Sequence, residues 1–267
     1  MKSMITVLKE QMNSFYLIMR LSLYEMRSDN KNNYLGILWE IINPMIQIAV
    51  YWFVFGYGIR GGHKPLGFIP WLFAGMTIWF FINPAVLQGS KSIYTRIRMV
   101  AKMNFPMSAI PSYVIFSKFY QHLMLLVVIM VILQFLGHPV SIYYAELPYY
   151  MFSVLVFTFA LSLITSTLST IVRDVQMIVQ AVMRMMIYLT PVLWDPSNLG
   201  PKVQTIMKLN PFYYVIEGYR SALLGNTGWY FISHWHYTVY FWVVTIIMLM
   251  IGSTLHLKFR SRFVDFL

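Results

Sequence analysis

Six long apolar stretches, separated by short segments that hold most of the charge, constrain this chain more than any other feature. They cover about 41–59, 68–87, 107–136, 147–171, 175–193 and 237–257. A membrane-crossing helix needs about 20 largely apolar residues, so each stretch is long enough to span. Lipid offers no partner to a free backbone amide, and helices satisfy theirs internally. Hydrophobic residues fill 58% of the 267 positions and charged residues only 11%, against about a quarter in soluble domains. The expectation is an all-α integral membrane protein with six transmembrane helices.

The cations orient it. With the N-terminus inside, the inner segments carry most of the Lys and Arg, including Arg20, Arg27, Arg173 and Arg260. The outer loops keep only Arg60, Lys64, Lys202, Lys208 and Arg220. That bias puts both termini in the cytoplasm. The net charge of +11 is therefore read as topology, and with no RNP or zinc-finger pattern no nucleic-acid partner is expected.

Three parts follow: a cytoplasmic interfacial segment over 1–38, a transmembrane domain over 39–258, and a cytoplasmic tail over 259–267. Ile5, Leu8, Met12, Phe15, Met19, Leu23 and Met26 recur at helical spacing, which predicts an amphipathic helix lying in the inner interface. Trp194 to Ser233 is rich in Pro, Gly and Asn, yet Phe212 to Leu224 is apolar with helical spacing. Pro211 suits a first helical turn and Gly225 a helix end. Short outer or re-entrant helices are expected there, with Asn210, Pro211, Glu217 and Arg220 among their residues.

The chemistry is sparse. Without cysteine, thiol catalysis and cysteine–metal sites are excluded. The nearest approach to a phosphate-binding loop, Gly89-Ser90-Lys91-Ser92, has Pro84 where the earlier Gly is needed. This chain is expected to bind no cofactor and to hydrolyse no ATP itself. The nine carboxylates fall in loops or at span edges, which argues against proton or sodium coupling. The histidines are scattered, and His234 and His236 flank Trp235 at an interface; no metal set or catalytic constellation emerges.

Charge inside a span is costly and points to function by default. Arg184 lies mid-way along the fifth stretch, and Lys118 and His122 lie one turn apart in the third. They are candidates to line a path for an anionic substrate. The structural alternative has Lys118 snorkelling to the inner face and Arg184 capping carbonyls. Lys91 to Asn104 reads as a cationic inner loop with Ile93, Ile97 and Val100 at helical spacing. With Lys91, Arg96, Arg98 and Lys102 it forms a candidate docking helix for a cytoplasmic partner, or one that rests on anionic headgroups.

Several strings, taken in order and spacing, resemble one family. They are Asn33 to Trp39 followed by Asn43-Pro44, Lys102 to Pro106, Arg173-Asp174-Val175, Thr190 to Leu193, and Leu209 to Phe212 followed by Glu217 to Arg220. The chain resembles the membrane subunits of type-2 ABC exporters of lipid-linked polysaccharides. Gly89 to Arg96 and Thr205 to Pro211 are similar to the teichoic-acid-translocating subgroup of Gram-positive bacteria. The resemblance implies a permease of the bacterial cytoplasmic membrane. It implies a homodimer with the channel between copies, and two separate ATP-binding cassette subunits holding ATP and Mg²⁺. It also implies lipid-linked teichoic acid as substrate, within a membrane-lipid environment, and Lys91 to Asn104 as coupling helix. Competing readings are a capsule or O-antigen exporter of the same fold, a drug or peptide exporter, a nucleotide-independent scramblase or secondary transporter, and a membrane glycosyltransferase.

Overall fold

A computed structural model describes residues 2–31, 33–59, 65–100, 105–196, 199–225 and 228–263. Its regular elements are all helical, with no strand among the described residues. In chain order they are α1 (Lys2–Asn13), α2 (Phe15–Asp29), α3 (Trp39–Trp52), α4 (Pro65–Val100), α5 (Ala109–Phe135), α6 (Leu147–Ile171), α7 (Asp174–Leu189), α8 (Pro201–Lys208), α9 (Pro211–Leu224), α10 (Tyr230–Ser233) and α11 (Trp235–Phe259). A wide π turn, Phe53–Ile59, prolongs α3. Lys102, Arg60 and Lys64 lie outside the described residues.

Among the described residues, five helical segments are long and apolar enough to cross a membrane: Gly36–Gly56, Gly67–Arg96, Ala109–Phe135, Ile142–Ile171 and Trp235–Phe259. The stretch expected as the fifth of six spans forms α7, whose 16 residues reach only ~24 Å. Thr190 ends α7 in extended conformation, just ahead of Pro191. A second difference concerns α4. The expected inner loop from Lys91 is instead the continuation of one 36-residue helix through Val100. Nothing between Gly89 and Val100 interrupts it, since that stretch has neither Pro nor a further Gly.

Helix α4 is the most buried of the spans and α3 the least. Pro70 and Pro84 sit inside α4, where packed neighbours can re-satisfy the freed carbonyls. Small residues let the central helices close up. Gly89 faces Ser162 so tightly that an added Cβ would overlap it, the small-residue contact common between membrane helices. In α6 the hydroxyls of Thr158, Thr165 and Thr170 bond back to carbonyls four residues earlier, at 2.7–2.9 Å. Their polarity is thereby satisfied without a partner helix.

The expected single N-terminal helix is two, α1 and α2, meeting at Ser14. Asn13 and Ser14 are poor helix formers because their side chains compete for the backbone. The carboxylates of both helices turn toward the bundle. Glu10 pairs with Arg260 at 2.7 Å, Glu25 with Arg96, and Asp29 with Lys118 at 2.6 Å. Ile5, Met12, Phe15 and Tyr16 face outward. Val7 packs with Leu163 and Leu249, so the start of the chain and the end of α11 share one end of the bundle.

A carboxamide-lined cavity and the helix that caps it

Helix α9 closes the other end. Asn210 caps it by accepting a 3.1 Å bond from the Phe212 amide, Pro211 fills the first turn, and Gly225 ends it at φ +68°. Arg220 is buried, paired with Glu217, and donates 2.5 Å to the Pro191 carbonyl. Its guanidinium lies 3.6 Å from the centre of the Trp71 ring, a cation–π contact strengthened by desolvation. One side chain thus ties α9 to α4 and to the turn after α7. Gly218 allows the Tyr150 ring to lie directly on α9, and any Cβ would overlap it. Tyr149, Tyr214 and Thr238 join α6, α9 and α11 through hydroxyl contacts of 3.0 and 2.9 Å.

Beneath this cap lies a cavity of about 1200 Å³, walled by α3, α4, α5 and α7 and the Asn30–Asn33 turn. Arg184, Lys118 and His122 all line it. They differ in what they can offer. Lys118 is neutralised by Asp29. The His122 Nε2 sits 2.9 Å from the Tyr219 hydroxyl of α9 and is buried, so His122 joins wall to cap. Arg184 makes no ion pair or hydrogen bond among the described residues.

The proposed docking group is divided by the fold. Lys91 lines the cavity, and it too has no ion pair among the described residues. Ile93 is fully buried against Ile18, Ile110 and Tyr113, so it packs the inner end instead of facing a partner. Arg96 pairs with Glu25. Ile97 and Arg98 lie in the last turn of α4; their side chains, and all of Lys102, are outside what the structure describes.

Residue-by-residue reading of charge overlooked the cavity's main chemistry. Nine Asn and Gln side chains line it. Asn30 donates to Glu40 at 2.5 Å, Asn33 to Asn30, and Gln176 is bound to Ser90. The other six, Asn43, Gln47, Asn83, Gln88, Gln121 and Gln180, have no hydrogen-bond partner among the described residues. The signal was present in spacing. Asn43, Gln47 and Tyr51 recur every fourth residue on α3, as do Gln176, Gln180, Arg184 and Tyr188 on α7. Positions four apart share a helix face, and a polar stripe within a span faces protein or water rather than lipid.

Polar stripes from α3 and α7 thus face one shared cavity inside the bundle. The family profile for the ABC-2 type transporter matches residues 16–224. The chain belongs to that membrane family. It is similar to two O-antigen export system permease proteins (RfbA) of Klebsiella pneumoniae, at 24% and 23% identity, each over 95% of both chains. A third such permease, from Myxococcus xanthus, is 24% identical over 82% of this chain and 84% of its own length. The chain is therefore a multi-pass membrane component of a transporter.

Proposed function

We propose that this chain is the permease subunit of an ATP-driven exporter that moves lipid-linked polysaccharide out of the cytoplasm, with wall teichoic acid as the polymer. The observation that carries the reading is the cavity. It is lined by nine carboxamides on walls drawn from α3, α4, α5, α7 and the Asn30–Asn33 turn. Ile46 and Val50 of α3, Phe53 of the π turn that follows it, and Met177, Met185 and Leu189 of α7 are exposed. A second copy seated there would cover them and close the cavity into a channel. The similar O-antigen permeases supply the polysaccharide class, and the strings Gly89 to Arg96 and Thr205 to Pro211 supply the teichoic-acid choice within it.

In this reading α7 is the sixth crossing. Its start at Gln176 contacts Ser90 and the Leu87 carbonyl, and the turn after its end reaches Arg220 beside Trp71. It therefore runs antiparallel to the Trp71–Ser90 part of α4, and α8 to α10 return as outer re-entrant helices. An even number of crossings puts both termini on the cytoplasmic side, with α1 and α2 in the interface. The ATP-binding cassette subunits are separate chains that dock at the inner end of α4, near Arg96 to Lys102. Closure of the ATPases on ATP pushes that end, and the push opens the seam between copies. Arg184 and Lys91, the two cavity cations without an internal counter-ion, hold the anionic pyrophosphate of the lipid carrier; charge-assisted bonds of this kind are the strong ones.

The test is reconstitution in proteoliposomes with and without the neighbouring ATPase subunit, scored by transfer of lipid-linked teichoic acid precursor. Transport that requires both chains and ATP supports the proposal. Transfer by this chain alone, without nucleotide, replaces it with a scramblase, and transfer of O-antigen precursor in preference to teichoic acid replaces the polymer.

A further inference from the structure

We infer that the cavity carries two kinds of binding group, cationic and uncharged, and that the uncharged carboxamides recognise the hydroxyl-bearing polymer chain itself. The inference rests on the exporter reading above and deepens it. The six partnerless carboxamides are distributed over all four wall helices, two on α3, two on α4, one on α5 and one on α7. Each offers two donors and one acceptor, the complement of a hydroxyl that both gives and takes a proton. The Gln121 amide nitrogen is buried without a partner, a state that costs about as much as a lost hydrogen bond. Water or a ligand has to satisfy such a group.

Spacing suits a chain better than a single small molecule. Positions four apart on a helix are ~6 Å apart along its axis, so Asn43, Gln47 and Tyr51 make three successive rungs facing the cavity. On α7, Gln180 supplies a rung one turn before Arg184. Tyr51, Tyr188 and Trp79 also line the cavity and offer flat apolar faces for the C–H side of sugar or alditol units. Neutral rungs bind each unit weakly and alike, which lets a polymer advance; a ladder of cations would arrest a polyanion. Lys91 and Arg184 are the cationic groups, for the carrier's pyrophosphate. The carboxamides thus make the affinity for substrate depend on the polymer and not only on its lipid anchor.

The experiment compares two probes on the full-length chain in nanodiscs: undecaprenyl pyrophosphate, and the same lipid carrying a short glycosyl chain, titrated by tryptophan fluorescence. Wild type is expected to bind the glycosylated probe at least about tenfold more tightly, the equivalent of one or two net hydrogen bonds. Asn43→Leu combined with Gln47→Leu, both on α3 and away from Lys91 and Arg184, should abolish that preference and leave affinity for the bare lipid unchanged. Arg184→Ala should weaken both probes by the same factor. If the double variant does not yield folded protein, Gln88→Leu alone should lower the preference about threefold. A preference that survives these substitutions, or that wild type never shows while still binding the bare lipid, overturns the role of the carboxamides and leaves the exporter reading standing. A wild-type chain that binds neither probe overturns the exporter reading as well.

Discussion

The α9 cap and the cavity wall use the same kinds of residue in opposite ways. In the cap, Tyr149, Tyr214, Thr238, Glu217 and Arg220 are polar groups spent on one another. In the cavity wall, Asn43, Gln47, Asn83 and Gln88 are polar groups with no hydrogen-bond partner among the described residues. Fully satisfied buried networks rigidify a fold, and unsatisfied ones cost stability. The difference teaches that the cap is built for stability and the wall for contents. His122 is the one predicted path residue that touches both, lining the cavity while bonding Tyr219 of the cap.

The largest effect should come from removing the cap's charge. Arg220→Ala removes a buried guanidinium and leaves Glu217, 23% exposed, without its partner; each hydrogen bond to a charged group lost in this way costs about 1.5–3 kcal/mol. It also releases the Pro191 carbonyl and the Trp71 face. The expected outcome is loss of monodisperse protein on size exclusion, or a steep fall in melting temperature in detergent. Glu217→Gln, which keeps a hydrogen-bonding group beside Arg220, should cost much less. Equal melting of Arg220→Ala and wild type would show that the cap is not held this way.

Next in size is a steric test. Gly218→Val places branched carbon where the Tyr150 ring lies, and overpacking of this kind costs about 1–3 kcal/mol. Pairing it with Tyr150→Leu should recover part of the loss, because residues in direct contact couple. If the double variant is no better than the sum of the singles, the close approach of α6 and α9 is not what Gly218 provides.

Legibility followed the same division. The apolar runs fall on five helices long and apolar enough to cross a membrane, and Pro211 and Gly225 mark both ends of α9, because apolar run length and helix capping are local rules. The length of α4 was not read because the cationic run was taken as a loop carrying a separate docking helix; the run has neither Pro nor a further Gly, and Ile93 packs against Ile18 and Tyr113 within the continuous helix. Arg220 was placed in the outer region, but its anchoring role depends on Trp71 and Pro191, which are distant in sequence. Arg184, Lys118 and His122 were picked out by charge. The carboxamides were not, since a neutral Gln in a span looks unremarkable until its fourth-residue repeat is noticed.

A smaller effect is expected at the strap between α2 and α4. Arg96 and Glu25 keep about a fifth of their side-chain surface in solvent, and pairs of that exposure are worth 0–1 kcal/mol. Glu25→Arg should lower the melting temperature slightly, and the swapped pair Glu25→Arg with Arg96→Glu should restore it. Raising the salt concentration should shrink the difference. Restoration of stability without restoration of transport would place the site of ATPase docking on Arg96 itself.

The smallest stability effect is the most informative about the comparison. Asn83→Leu and Thr238→Val both exchange a polar side chain for an apolar one inside the bundle. Thr238 accepts or donates in the cap network and bonds the Phe231 carbonyl at 2.9 Å; losing such bonds within a membrane protein costs about 0.6 kcal/mol on average. Asn83 has no bond to lose, so its replacement should stay within about 0.5 kcal/mol of wild type, the range of substitutions that touch no structural feature. The transport assay should reverse the order. Thr238→Val, away from the passage, should move polymer at the wild-type rate per folded complex, and Asn83→Leu should slow it. If Asn83→Leu destabilises the fold as much as Thr238→Val, then the carboxamides are structural after all, and wall and cap are built on one principle instead of two.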